Sequence, residues 1–311
     1  MNACDDLNSK GEKTMEQGEV QLREGDLPAH RENLPSRPSK RRSRFERTAP
    51  SNFWWQDRDE EIVASVYQHG VLSTKQIADL FFDGSVSAAT KRLRKLFDAG
   101  WLQRAFRPNG VGAPEALYLV ERRKETVQCI ADRLGWTEEK VRRHWFPNQM
   151  LTEHYLEVNA FRVAVEISCR KNGVLLELWE DERFCMDRID NGGKVKVFAP
   201  DAYFRLFKDG TLWAYFLEWD RGTESVGRIR QKAENYATYW RKGFYTERYG
   251  LKGFRVLWVT KGRERMDVLM EAMVESAPPF WWATTDAIRE SKDILTEPLW
   301  KFRGEMRALL S

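Results

Sequence analysis

Three carboxylates stand at the ends of one aromatic-rich hairpin. The run PDAYFRLF begins at Pro200 and meets Lys208-Asp209-Gly210, after which residues 211–220 read TLWAYFLEWD. Asp-Gly supplies the positive φ values that a tight β-hairpin needs. Asp201 therefore opens one strand, and Glu218 and Asp220 close its partner. Side chains two apart on a strand share a face, so the three acids are expected to converge at one edge of a sheet. Like charges at such range raise each other's pKa or demand a cation. A hard divalent metal with oxygen ligands is the usual compensation, which makes Asp201, Glu218 and Asp220 candidate metal ligands.

Arg221-Gly222-Thr223-Glu224-Ser225 has the form of a strand-to-helix turn, with Thr223 or Ser225 available as a cap. In the helix that follows, Val226, Ile229, Ala233, Tyr236, Ala237 and Trp240 form one apolar stripe, flanked on opposite sides by Arg230 and Lys232. Either cation can lean over the sheet edge, or both can be ordinary boundary charges.

Asp201 after a proline, Glu218 in an E-x-D at the end of the next strand, and a helix starting near Glu224 resemble the core of the PD-(D/E)xK nuclease fold. More narrowly, PDAYF followed by FLEWDRGTES and a helix carrying Lys232 and Tyr236 resembles the plasmid replication-relaxation family, over about Arg58 to Glu275. The resemblance implies an α+β or α/β chain: an N-terminal winged helix-turn-helix domain, then a restriction-endonuclease-like αβββαβ domain. In an active enzyme of this kind Asp201, Glu218 and Asp220 would hold Mg²⁺ as cofactor, and Lys232 would offset charge during phosphodiester hydrolysis. The sequence departs from the superfamily at one point, because its lysine two residues after the glutamate is Asp220 here. A lysine would have to come from the helix. The resemblance with that departure points to a DNA-binding protein of a plasmid or other mobile element, its nuclease-like domain used for binding or assembly. A metal-dependent DNA endonuclease or nickase and a winged-helix transcription regulator are the alternatives. Double-stranded DNA is the implied partner, together with other plasmid replication or transfer proteins.

The elements ahead of the hairpin agree with DNA as a partner. Residues 53–120 read as a winged helix. A first helix carries Ile62, Val63, Val66 and Tyr67 and stops at Gly70. A second starts at the capping box Ser73 and Gln76 and buries Ile77, Leu80 and Phe81. A third, from about Ser87 to Ala99, puts Ala89, Leu93, Leu96 and Phe97 on one face and Lys91, Arg92, Arg94 and Lys95 on the other. That division suits a recognition helix in a major groove. Two strands around Leu102 and Leu117, joined by a Pro108-Asn109-Gly110 turn, form the wing, with Arg104 and Arg107 near it. Ser87, Lys91, Arg92, Arg94, Lys95, Arg104 and Arg107 are the candidate DNA-binding residues.

Residues 1–52 are polar and end in SRPSKRRSRFER, either a solvated disordered arm or a run that lies along phosphates. Residues 121–147 read as a helical connector. The nuclease-like domain is expected over 148–276: a helix from about Asn148 to Lys171, a strand from Leu175 to Trp179, another from Val195 into the acidic stretch, the hairpin, and the buried strand GFRVLWVT. Glu153 or Glu157 on that first helix could supply a further acid, and His154 reads as a packing histidine. Residues 277–311 read as a tail with a short amphipathic helix. The formal net charge of +4 tilts toward an anionic partner. Cys4, Cys129, Cys169 and Cys185 form no C-x-x-C pair, and no apolar run spans a membrane, which fits a reducing bacterial cytoplasm.

Overall fold

Apolar residues at helical spacing fold Asp57–His69 into α1, which buries Ile62, Val63, Val66 and Tyr67 and ends at Gly70 with φ 71°. The computed structural model describes residues 46–48, 53–107, 114–147, 151–190, 193, 195–273 and 278–311. Strand β1 (Leu72–Ser73) leads into α2 (Thr74–Phe81) through the expected capping box: the Ser73 hydroxyl accepts from Gln76 N–H at 3.2 Å, and Gln76 Oε1 accepts from Ser73 N–H at 2.8 Å. Helix α3 (Val86–Asp98) buries Ala89, Leu93, Leu96 and Phe97. Strands β2 (Leu102–Arg107) and β3 (Glu115–Val120) pair antiparallel, and β1 joins them in the order β1-β3-β2. The Pro108-Asn109-Gly110 turn and the basic run before Glu46 lie outside the described residues. The connector forms α4 (Lys124–Leu134), stopped by left-handed Gly135, and α5 (Glu138–Arg143).

The second half begins with α6 (Glu153–Asn172), capped by the Thr152 hydroxyl. Then follow β4 (Leu175–Asp181), α7 (Glu182–Cys185), β5 (Asp187–Asp190), β6 (Val195–Phe198), β7 (Ala202–Lys208), β8 (Thr211–Asp220), α8 (Val226–Arg241), α9 (Phe244–Tyr249), β9 (Arg255–Thr260) and α10 (Arg263–Ala272). Positive φ at Asp209 and Gly210, 50° and 78°, closes the β7–β8 hairpin as its sequence requires. Helix α8 carries the chain across so that β9 runs parallel to β8. The series α6, β4, β7, β8, α8, β9 is the αβββαβ order that the sequence implies.

Two expectations need correction. Val195 opens β6, but β6 does not run into the acidic stretch: it pairs with β5 as a separate ribbon, and the chain leaves strand geometry at Ala199 and Pro200, where proline has no N–H to give. The segment 277–311 is no tail. It forms β10 (Phe280–Thr284) parallel to β9, then α11 (Thr285–Glu290), β11 (Trp300–Phe302) and β12 (Glu305–Arg307). Among the described residues the sheet therefore has seven strands, ordered β12-β11-β10-β9-β8-β7-β4. Trp281, Trp300 and Leu309 are buried in its core, and Tyr215 Oη donates to the Leu309 carbonyl at 2.6 Å.

Helix α6 also holds the two halves together. The last carbonyls of a helix lack intrahelical donors, and α6 supplies them to α1: Arg162 Nη1 donates to the Gln68 carbonyl at 2.8 Å and Tyr155 Oη to the His69 carbonyl at 2.9 Å. Asn159 donates to the Val71 carbonyl just beyond, and Arg170 to that of Leu80 at 2.6 Å. Glu166 accepts from Arg162 Nε at 3.0 Å and lies 3.0 Å from His69 Nε2. Burial alone would raise the Glu166 carboxyl, but His69 and Arg162 outweigh it and bring it from 4.5 down to about 2.

A depressed carboxylate stabilises the fold above its unfolded pKa and loses that contribution as pH falls through the folded one. Glu166→Gln is therefore expected to cost about 3 kcal/mol at pH 7 in urea unfolding and to flatten the loss of stability that the native chain shows below about pH 4.5. Equal stability of the two chains at pH 7 would contradict this role for the junction.

Candidate functional site

The register of β7 on β8 pairs Ala202 with Leu217, and the Asp201 N–H donates to the Leu217 carbonyl at 3.1 Å, so Asp201 lies opposite Glu218. The two face a cleft of about 560 Å³ between the end of β8, α8, the β6 strand and the start of α6, with His154, Glu182, Lys232 and Tyr236 also on its wall. Of the two cations flanking the α8 stripe, Lys232 is the one that reaches the site. Arg230 turns away and donates to the Ala272 carbonyl at 3.3 Å.

Glu218 is 2% exposed, so its charge must be met from within the protein. Lys232 Nζ donates to Oε2 at 2.8 Å and Tyr236 Oη to Oε1 at 2.9 Å. Residues 232 and 236 are four apart on α8 and so share a face. Lys232 Nζ also lies 3.3 Å from Glu224 Oε2. Burial raises the Glu218 carboxyl, opposed by the Lys232 charge. Burial acts to lower the Lys232 ammonium, but Glu218 and then Asp201 outweigh it and hold it above its ordinary value. These two tendencies conflict, since one favours a neutral acid and the other an ion pair. Because both Glu218 oxygens accept from donors, the pair is charged.

Asp201 is compensated from a different helix. His154 Nε2 lies 2.9 Å from Asp201 Oδ1, and the Trp219 N–H donates to Oδ2 at 2.6 Å. Burial acts to lower the His154 imidazole, but the hydrogen bond and charge of Asp201 raise it overall. His154 is thus part of the site, where its sequence alone suggested packing. Glu182, on α7, is a cleft residue that the sequence does not flag: burial raises its carboxyl first and the Asp201 charge raises it further.

The expectation for Asp220 is corrected. It points to the same side of the sheet as Glu218, but its Oδ2 accepts from Thr260 Oγ1 and Arg265 Nε, both at 2.9 Å, and its Oδ1 accepts from the Gly222 N–H at 2.9 Å. Arg265 continues to the Glu224 carbonyl at 2.6 Å. Asp220 closes the strand-to-helix turn. Glu157 accepts from Trp219 Nε1 at 2.8 Å, and Glu153 pairs with Arg107, so neither adds an acid to the Asp201–Glu218 pair.

Among the described residues no group of three His, Cys, Asp or Glu side chains is disposed to hold a metal ion. Mg²⁺ demands near-octahedral oxygen geometry. Here every oxygen of Asp201, Glu218 and Asp220 already lies within hydrogen-bonding distance of a protein nitrogen or hydroxyl, and Lys232 and Arg265 bring positive charge that a cation would otherwise supply. These residues, so arranged, do not fit the Mg²⁺ site expected from the sequence.

The second candidate surface is α3. Ser87, Lys91 and Lys95, four apart, are all exposed along one line. The other basic residues named from the sequence are committed within the protein. Arg92 Nε donates to Asp59 Oδ1 at 2.6 Å, Asp59 is fully buried, and Arg92 Nη2 reaches the Trp54 carbonyl at 2.7 Å. Arg94 Nε donates to Asp98 at 2.7 Å and Nη2 to Thr48 at 3.0 Å. Arg107 bonds Glu115 at 2.5 Å, and Arg104 lies over the Phe97 ring at 4.4 Å. Six basic side chains thus become two exposed lysines and four anchored arginines on and beside α3 and β2.

A sequence model of the replication-relaxation family matches residues 63–254. No curated protein matches. Among solved structures the chain is similar to restriction endonuclease FokI at 10% identity with a TM-score of 0.27; the match covers 74% of this chain and 43% of that one.

Removing one partner of a buried pair is costlier than removing both. Lys232→Met is expected to cost about 3 kcal/mol in urea unfolding, and adding Glu218→Gln is expected to recover about half of it. Arg230→Met should change stability by less than about 0.5 kcal/mol. An additive double variant would show that Lys232 and Glu218 do not form the pair described.

Proposed function

The chain belongs to the replication-relaxation family, and from that premise we propose that it is a double-stranded-DNA-binding protein of a plasmid or other mobile element, working in the bacterial cytoplasm. A winged helix formed by α1 to β3 holds the duplex. The nuclease-like domain serves binding or assembly, including contact with other plasmid replication or transfer proteins. The observation that carries this reading is the exposed line Ser87, Lys91 and Lys95 on a helix whose opposite face is locked into the core. A helix so mounted can enter a major groove while the lysines meet phosphates and the serine meets a base edge or phosphate. Among the described residues no helix is long and apolar enough to cross a membrane.

A second reading, a Mg²⁺-dependent endonuclease, draws on the place of Lys232 on α8, where it could stand in for the lysine missing at Asp220, and requires that it leave Glu218, since the acids as arranged do not fit a cation. Supercoiled plasmid incubated with the protein and Mg²⁺ or Mn²⁺ separates the two. The DNA-binding reading expects intact supercoil, and cutting that Asp201→Ala and Glu218→Ala abolish would establish the second.

Fluorescence anisotropy with a labelled duplex tests the first reading. Lys91→Ala with Lys95→Ala should weaken binding by roughly tenfold or more at about 0.1 M salt and lower the slope of log K on log salt by about 2, since each lysine neutralises about one phosphate. Arg92→Ala should lower the melting temperature instead, because it strands buried Asp59. If the double lysine variant binds as the native chain does, α3 is not the DNA-contacting element.

A further inference from the structure

Trp54 is 80% exposed on a backbone held from both sides. Its carbonyl accepts from Arg92 Nη2 at 2.7 Å, the guanidinium that also grips buried Asp59. The preceding Phe53 ring lies 5.3 Å beneath the same guanidinium, and the following Trp55 packs against Trp101 at a centroid distance of 4.3 Å. The neighbours are anchored and the Trp54 indole is displayed. A large apolar ring left in water on a fixed backbone loses little conformational freedom when it meets a partner.

Its place beside α3 says which partner. At 100° per residue, Arg92 sits at the boundary between the buried face and the exposed one, on the flank where Lys95 also lies. The Trp54 carbonyl is bonded to the Arg92 guanidinium, which places the backbone of residue 54 on that flank of α3, the flank of Lys95. Lysines beside an aromatic group that carries an N–H donor match a sugar–phosphate backbone, whose deoxyribose is apolar and whose phosphate accepts.

We propose that Trp54 is a DNA-contact residue, its indole packed on the duplex backbone beside Lys95 as an anchor that does not depend on charge. This rests on the reading of α3 as the DNA-binding helix. The contact adds affinity that counterion release does not supply, so it differs from the lysines in salt dependence.

The test uses the full chain and a fluorescein-labelled duplex over a range of salt, with native protein, Trp54→Ala and Trp54→Phe, alongside chain carrying 5-fluorotryptophan. The expected result is a loss of about fivefold to tenfold in affinity for Trp54→Ala at every salt, an unchanged slope, and partial retention by Trp54→Phe. The ¹⁹F resonance that Trp54→Ala removes should shift on adding duplex. Native affinity in Trp54→Ala, or a loss accompanied by a flatter salt slope, overturns the proposal while leaving DNA binding by α3 in place. If the native chain binds no duplex at low salt, the reading on which the proposal rests fails first, and the proposal with it. A melting temperature equal to native confirms that the exposed substitution leaves the fold intact.

Discussion

A carboxylate buried at the end of a central strand is tolerable only with a partner charge, and Glu218 obtains one from Lys232. The arrangement around it follows the same rule three times. Helix α8 brings Lys232 to Glu218, α6 brings His154 to Asp201, and α10 brings Arg265 to Asp220. Each acid at the end of the β7–β8 hairpin is thereby tied to a different helix. Each of the three acids thus has its partner within the protein.

Helix α6 connects this balance to the first half of the chain. Its first turn carries His154 into the cleft, and Tyr155, Asn159 and Arg162 take up carbonyls at and just past the end of α1. The buried Arg162–Glu166–His69 cluster adds charge to the same joint. A duplex carried on α3 would therefore be held by a body that is continuous with the cleft.

What was legible in the sequence was local. The Ser73–Gln76 capping box, the glycine stop at Gly70, the Asp209-Gly210 turn and the stripe on α8 each involve residues within a few positions, and each forms where expected. Lys232 as the helix-borne lysine was legible because the missing lysine beside Glu218 named what to look for. Partners far apart in sequence were not. Alternation along β8 gives the direction of Asp220 but not Arg265, forty-five residues later, which meets it. The basic face of α3 looked uniform because Asp59, thirty-three residues before Arg92, carries no local sign of pairing. Strands β11 and β12 span three residues each, too short for period-two alternation to register, so the end of the sheet read as a tail.

The account stands on internal charge compensation of Asp201 and Glu218. Electron paramagnetic resonance of Mn²⁺ titrated into the protein, alone and on a bound duplex, tests it most directly. The account predicts a Mn²⁺ signal that is the same for the native chain, Asp201→Ala and Glu218→Ala. One Mn²⁺ bound per native chain and lost in both variants would contradict it, and would make the cleft a metal site after all.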